Sequence, residues 1–220
     1  MHQTVKNLLN INNQIKTKIS ELKYNNYSAE IVAVSKTFPI SHILPLIDYG
    51  HIHFGENKVQ EATEKWSEIK IKHKDIKLHM VGRLQTNKVK MALKIFDFIH
   101  SLDNLKLAKR ISEEQEKYDV KPKLFIQINI GNENQKSGIS IQNLQDFFSE
   151  CKKLDLNIIG TMCLPPLDKD PTTFFSQMLQ MNNELKLKEL SMGMSEDYLN
   201  AVEYYSTYLR IGSKIFGSRN

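Results

Sequence analysis

Short β-type runs and helical stripes take turns along almost the whole chain. The runs are Ile31–Ser35, His51–Phe54, Leu78–Gly82, Phe96–His100, Leu124–Ile130, Asn157–Cys163, Leu190–Gly193 and Tyr208–Ile211. Between them apolar residues recur at helical spacing. Ile40, Ile43, Leu44 and Ile47 form one stripe, and Val59, Ala62 and Trp66 another. Leu144, Phe147, Phe148 and Cys151 follow, then Phe174, Phe175, Met178 and Leu185, then Tyr198, Val202 and Tyr205. Start signals agree: Asp103 precedes "NLKLAKRI", Ser140 precedes "IQNLQDFF", and Ser195 is followed by Glu196 and Asp197. Gly50 closes the helix before "HIHF". One more amphipathic helix, with Val5, Leu8, Leu9, Ile15, Ile19 and Leu22, precedes the first strand. Such alternation implies parallel strands joined by right-handed crossovers. Eight units favour a single α/β domain, a closed (β/α)8 TIM-like barrel with an extra N-terminal helix, near the lower length limit for that fold. A doubly wound open sheet is the competing arrangement. No Gly-, Ser- or Pro-rich linker interrupts the pattern, so residues 1–220 read as one domain.

Composition removes several function classes. No apolar run approaches the ~20 residues needed to cross a bilayer, so no membrane role is expected. The opening "MHQTVKNLLNINNQIKTKIS" lacks the apolar core and small-residue cleavage site of a secretory signal. The two cysteines, Cys151 and Cys163, sit inside apolar patterns and read as core residues of a reducing, cytoplasmic protein. The net charge of +5 raises the question of nucleic acid. The lysines, however, are mostly interleaved with acidic residues, and the one concentrated run, "KIKHKDIK", has no aromatic residue for stacking. It reads as a solvated connection, and no nucleic-acid partner is expected.

In either α/β arrangement, chemistry collects at the carboxyl ends of the strands. Lys36 follows the first strand in "IVAVSKTFP", "GEN" the second and "GRLQTNK" the third. Met162 and Cys163 close the sixth, "GMS" the seventh, and Arg210 with Gly212 and Ser213 the eighth. No G-x-G-x-x-G, P-loop or H-E-x-x-H motif is present. His51 and His53 share one side of a strand but lack a third ligand, so no metal is expected. His79 could approach the barrel mouth or be a core histidine, and "GNENQKSG" is either an amide nest or a polar loop. The closing segment "SMGMSEDYLNAVEYYSTYLRIGSKIFGSR" carries two adjacent helix starts, which together make an anion site, commonly found after the last two strands of a barrel. An anion site facing a lysine on the first strand is the arrangement needed to hold pyridoxal 5′-phosphate (PLP).

The segments "AVSKT", "FGENKVQE", "HMVGRLQTNK", "INIGNENQKSGI", "GTMCLPP", "LSMGMSED" and "LRIGSKIFGSR" occur in order at compatible spacing. In these the chain resembles the PLP homeostasis protein (YggS/PROSC) family over essentially its whole length. The resemblance implies a barrel similar to the N-terminal domain of alanine racemase. It implies that Lys36 is the Schiff-base lysine and that Arg210 faces the pyridine nitrogen. Ser195 would bind the phosphate with help from Gly212 and Ser213, and Asn57 and Met194 would line the surroundings of the ring. Arg83 stands where small or proline residues are familiar in the family. A free lysine near pKa 10.4 is protonated at neutral pH, so partial burial and the charge of Arg210 are expected to lower it. An arginine opposite the ring nitrogen makes the ring a poorer electron sink than a carboxylate does. Alanine racemase adds a tyrosine from a further β domain and a partner subunit, and this sequence ends nine residues after Ile211. The expected role is therefore a PLP carrier and buffer in vitamin B6 homeostasis, without robust turnover, supplying apo-enzymes, and a monomer is expected because no helix shows surplus apolar surface. The alternatives are an amino-acid racemase, with Tyr208 or a histidine as second base, and a PLP-independent sugar-phosphate barrel. A pure interaction scaffold leaves Lys36, Arg210 and the anion site without a common purpose.

Overall fold

The computed structural model describes residues 1–133 and 135–217. Asn134 of the "GNENQKSG" loop, and Ser218 and Arg219 at the close of the last motif, lie outside the described residues. The strands are β1 (Glu30–Val34), β2 (His53–Glu56), β3 (Lys77–Met80), β4 (Phe98–Leu102), β5 (Lys123–Ile128), β6 (Ile158–Cys163), β7 (Glu189–Ser191) and β8 (Tyr208–Ile211). All pair in parallel and in chain order, and β8 returns to β1 from Glu30↔Tyr208 to Ala33↔Ile211. The barrel is closed, which excludes the open sheet. Buried on both faces, strands such as "IVAV" and "KLFIQI" read as near-continuous apolar runs instead of alternating ones.

The helices are α1 (Gln3–Glu21), α2 (Ile40–Asp48), α3 (Val59–Lys72), α4 (Val89–Ala92), α5 (Leu105–Tyr118), α6 (Leu144–Lys153), α7 (Pro171–Glu184), α8 (Tyr198–Glu203) and α9 (Ser213–Phe216). Their apolar stripes supply the layer outside the sheet, where Trp66, Phe175, Ile43 and Leu46 are fully enclosed. The helix α1 packs against α2, α8 and α9, over the seam where β8 meets β1. Asn7 donates to the Ile215 carbonyl at 2.9 Å, Tyr24 to that of Glu203 at 2.8 Å and Tyr27 to that of Ser206 at 2.6 Å. These bonds fix the last two helices, and with them one wall of the barrel mouth. Among the described residues no helix is long and apolar enough to cross a membrane.

Several boundaries differ from the sequence expectation, each for a local reason. Phe96 lies in the turn before β4, where its amide bonds the Ala92 carbonyl at 2.9 Å. Asn104, not Asp103, caps α5, accepting from the Leu107 amide at 2.9 Å. Ser195 does not start α8. Asp197 occupies that position, and its carboxylate accepts from the Met194 amide at 2.6 Å, folding the chain back over Ser195. Gly193 makes the turn possible: its φ is +87°, and a Cβ there would sit 2.6 Å from that of Ala201.

Candidate functional site

At the carboxyl ends of the strands a cavity of about 770 Å³ opens between the β1, β6, β7 and β8 exits. That lies within the ~300–1,000 Å³ of ordinary ligand sites. Lys36, Met194, Ser195, Arg210, Gly212 and Ser213 all line it, together with Lys169, Glu196, Asp197 and Pro165. Asn57 is not among the lining residues. The chain after β3 lies directly against it, so close that a Cβ on Gly82 would fall 2.4 Å from the Asn57 carbonyl oxygen. The Asn57 Oδ1 is buried with no hydrogen-bond partner among the described residues.

Lys36 is half-buried on the turn leaving β1, and both of its neighbours are pinned. Thr37 has φ +67°, an uncommon conformation for a β-branched residue, and its amide donates to Glu61 Oε1 at 2.7 Å. On the other side Ser35 Oγ donates to Glu56 Oε1 at 2.8 Å. Glu56 is wholly enclosed and also accepts from Trp66 Nε1 at 3.0 Å and Lys65 Nζ at 2.9 Å. Lys65 in turn reaches Glu61 at 3.0 Å and the Ser35 carbonyl at 3.1 Å. Burial pushes the Glu61 carboxyl up, but the Thr37 amide and Lys65 outweigh it and hold it below the usual range. One lysine thus ties together the two carboxylates that clamp the turn. The sequence reading passed over Glu56, Glu61 and Lys65. Their signal was a glutamate ending an apolar strand, with a lysine nine positions on to neutralise it.

On the neighbouring strand β8, in register with Val32 of β1, Arg210 is almost fully buried. Its Nη1 donates to Ser191 Oγ at 2.5 Å and its Nη2 to the Cys163 carbonyl at 2.8 Å. Both acceptors are neutral, and among the described residues no carboxylate pairs with it within 4 Å. Burial lowers its pKa, though a guanidinium starts high enough to stay charged. The same enclosure pushes the Cys163 thiol up to about 12. Cys151 is likewise buried and unbridged, in keeping with the core role expected of both.

The wall next to the β1 exit is built by the β7 and β8 exits, and a Cβ on Gly212 would lie 3.2 Å from the Val34 carbonyl oxygen. Gly212 precedes α9 and its carbonyl accepts from the Ile215 and Phe216 amides, both at 2.9 Å. The first N–H groups of such a turn have no partner within it. One of them, on Lys214, reaches Ser195 Oγ at 3.5 Å, so the serine and the turn share one corner. Amine, buried guanidinium, hydroxyls and turn amides around one cavity match the donor set that PLP requires.

Other sequence candidates lie elsewhere. His53 and His79 are interior residues, their rings bonded to each other at 2.9 Å, and among the described residues no cluster could hold a metal ion. Tyr208 sits within an inner cluster with Val32, Phe98, Phe125 and Met162, and no tyrosine or histidine is among the residues lining the cavity. In the loop after β5, Asn129 bonds Glu133 both ways, at 2.9 and 3.1 Å, and Lys136 reaches the Pro165 carbonyl at 3.0 Å. Those bonds serve the loop's own closure and the cavity wall.

Comparison with known proteins agrees with this geometry. Residues 11–220 match the family described as alanine racemase, N-terminal domain. The pyridoxal phosphate homeostasis protein of Haemophilus influenzae is 36% identical, with 97% of this chain and 95% of that protein covered. The protein of the same name from Pasteurella multocida is 34% identical, with 97% of each covered. Among solved structures, PipY of Synechococcus elongatus with PLP bound is 32% identical at a TM-score of 0.81, covering 92% of this chain and all of that one. Alanine racemase of Clostridium difficile, 12% identical at a TM-score of 0.68, shares the fold over 94% of this chain and 57% of its own.

Proposed function

The chain belongs to the pyridoxal phosphate homeostasis protein family, and from that premise we propose that its barrel mouth holds PLP reversibly on Lys36, as a carrier and buffer. When bound, the cofactor supplies an aldehyde that condenses with a primary amine and releases water. The observation carrying this reading is the convergence of Lys36, Arg210 and the Ser195–Gly212–Ser213 corner on one cavity. Lys36 supplies the amine from a turn held by Glu56 and Glu61. The corner offers hydroxyl and amide donors for the phosphate, and Met194 gives apolar contact. Arg210 can only donate, so a ring nitrogen facing it is left as an acceptor. That weakens the ring as an electron sink and favours holding over carbon-acid chemistry.

A carrier also fits the position of the groups considered as a second base. Tyr208 and the interior histidines are not among the lining residues, whereas racemisation needs an acid/base on each face of the substrate. Release to apo-enzymes completes the role, in a monomer of a reducing, cytoplasmic compartment. The test compares the purified protein with Lys36→Ala after exposure to PLP. The parent should retain the cofactor with a visible absorption band, and the variant should lose it. α-Hydrogen exchange of amino acids in deuterated water should stay at background for both. Robust exchange lost on Lys36→Ala would establish a catalyst instead.

A further inference from the structure

Arg210 is the upper end of a line of hydrogen bonds running down the barrel interior. Ser191 Oγ, which accepts from Arg210, lies 2.8 Å from His100 Nδ1. His100 Nε2 lies 2.9 Å from His79 Nδ1, and His79 Nε2 lies 2.9 Å from His53 Nδ1. Three consecutive strands, β2 to β4, and the β7–β8 pair thus contribute to one file. Ser191, His79 and His100 are wholly enclosed and His53 nearly so. The rings are wedged in place by aromatic neighbours. His79 stacks on Phe98 at 4.1 Å and His100 on Phe125 at 4.3 Å. Ring orientation is therefore set by packing as well as by the bonds.

The direction of the file follows from its top member. A guanidinium has donors only, so Ser191 Oγ must accept from it. Among the described residues His100 is the one other partner of that hydroxyl, so its proton goes to His100 Nδ1. Pointed elsewhere it would be buried without an acceptor, which is costly. His100 then carries its proton on Nε2 and donates to His79 Nδ1. His79 does the same to His53. All three imidazoles are thereby neutral, in the same tautomer, with their acceptor ends toward Arg210. Burial, which disfavours a charged ring, works in the same sense for each.

We propose that Ser191, His100, His79 and His53 are positioning residues that act through Arg210, holding its guanidinium aimed into the mouth cavity. Among the described residues no carboxylate bonds to the buried charge directly, Asp197 acting on it only from a distance, and a buried charge needs compensation. Three dipoles aligned head to tail, ending on a hydroxyl acceptor, provide part of it. Two fixed acceptors, Ser191 Oγ and the Cys163 carbonyl, also set the guanidinium plane, leaving its remaining N–H groups for the cavity. The link to the cofactor rests on the functional reading given above; the direction of the file does not.

Two measurements test it. In the parent protein without cofactor, ¹⁵N NMR should find His53, His79 and His100 neutral and protonated on Nε2 at neutral pH. A cationic ring, or a proton on Nδ1 of any of the three, overturns the proposed file. In the loaded protein, Ser191→Ala removes one hydrogen bond to a charged group. Retention of PLP should fall about tenfold. The pH at which the visible band of the bound cofactor titrates should move by about one unit, the same factor. Ser191→Thr, which keeps the hydroxyl, should restore both. Retention and titration of Ser191→Ala within twofold of the parent overturn the positioning role. If the parent itself takes up no PLP, the functional reading fails, while the tautomers still decide the file.

Discussion

Lowering the pH from about 7 to about 5 should destabilise this protein more steeply than its carboxylates alone allow. His53 is held down to about 4, by burial first and then by the charges of Lys123 and Lys77. His79 and His100 lie well below their ordinary value, through burial, with neighbouring His100 and Arg210 respectively adding to it. In the unfolded chain histidine titrates near 6.5. Below that pH the unfolded state takes up protons that the fold refuses, so stability is intact above about 6.5 and lost as the pH falls. Each neutral imidazole costs about 1.4 kcal/mol per pH unit in this window, or about 2 kcal/mol by pH 5. With His51, which burial also holds down to about 4, the four together remove about 8 kcal/mol, against the ~5–15 kcal/mol that a folded domain typically has. Urea unfolding across this pH range, at constant m-value, measures the loss directly. His79→Gln should reduce the slope by about a quarter. A total change below about 2 kcal/mol, or equal slopes for parent and variant, would refute the neutral file.

Other perturbations separate the parts of the site. Glu56→Gln leaves Lys65 without its enclosed partner and should cost about 3 kcal/mol or more in urea unfolding, since breaking a buried pair is expensive. Gly193→Ala forces a side chain into a left-handed turn against Ala201, and a melting experiment should register about 1–3 kcal/mol. Arg210→Gln should leave a folded protein that retains PLP about tenfold less well, read by dialysis and absorbance. With its thiol pushed up to about 12, Cys163 should react with a disulfide reagent about a thousandfold more slowly than an unperturbed cysteine, until the protein is unfolded.

The barrel was legible in the sequence because each parallel strand, buried on both faces, keeps an apolar run. Tyr208–Ile211 and the β1 run show this most clearly. The mouth was legible for the same reason: residues that follow such runs share one rim, as Lys36, Arg210 and Gly212 do. Ends set by a single side chain were less so. Asn104 and Asp103 are both capable caps, and the choice depends on which one reaches Leu107. At "GMSED" the acidic side chain of Asp197 turns back to Met194, a contact that spacing alone does not specify. The support of the site was largely hidden. His53, His79 and His100 lie on three different strands, and a chain of contacts between strands leaves no periodic trace in the sequence. The same holds for Glu56 and Lys65, which meet only because α3 folds back onto the β1–β2 exits.

The most direct test of PLP attachment is to reduce the loaded protein with borohydride, weigh it and map the added mass by peptide. One reduced cofactor per chain, on the peptide containing Lys36, is the predicted result. Label on Lys169, the other lysine of the cavity wall, or spread over surface lysines, would contradict the account.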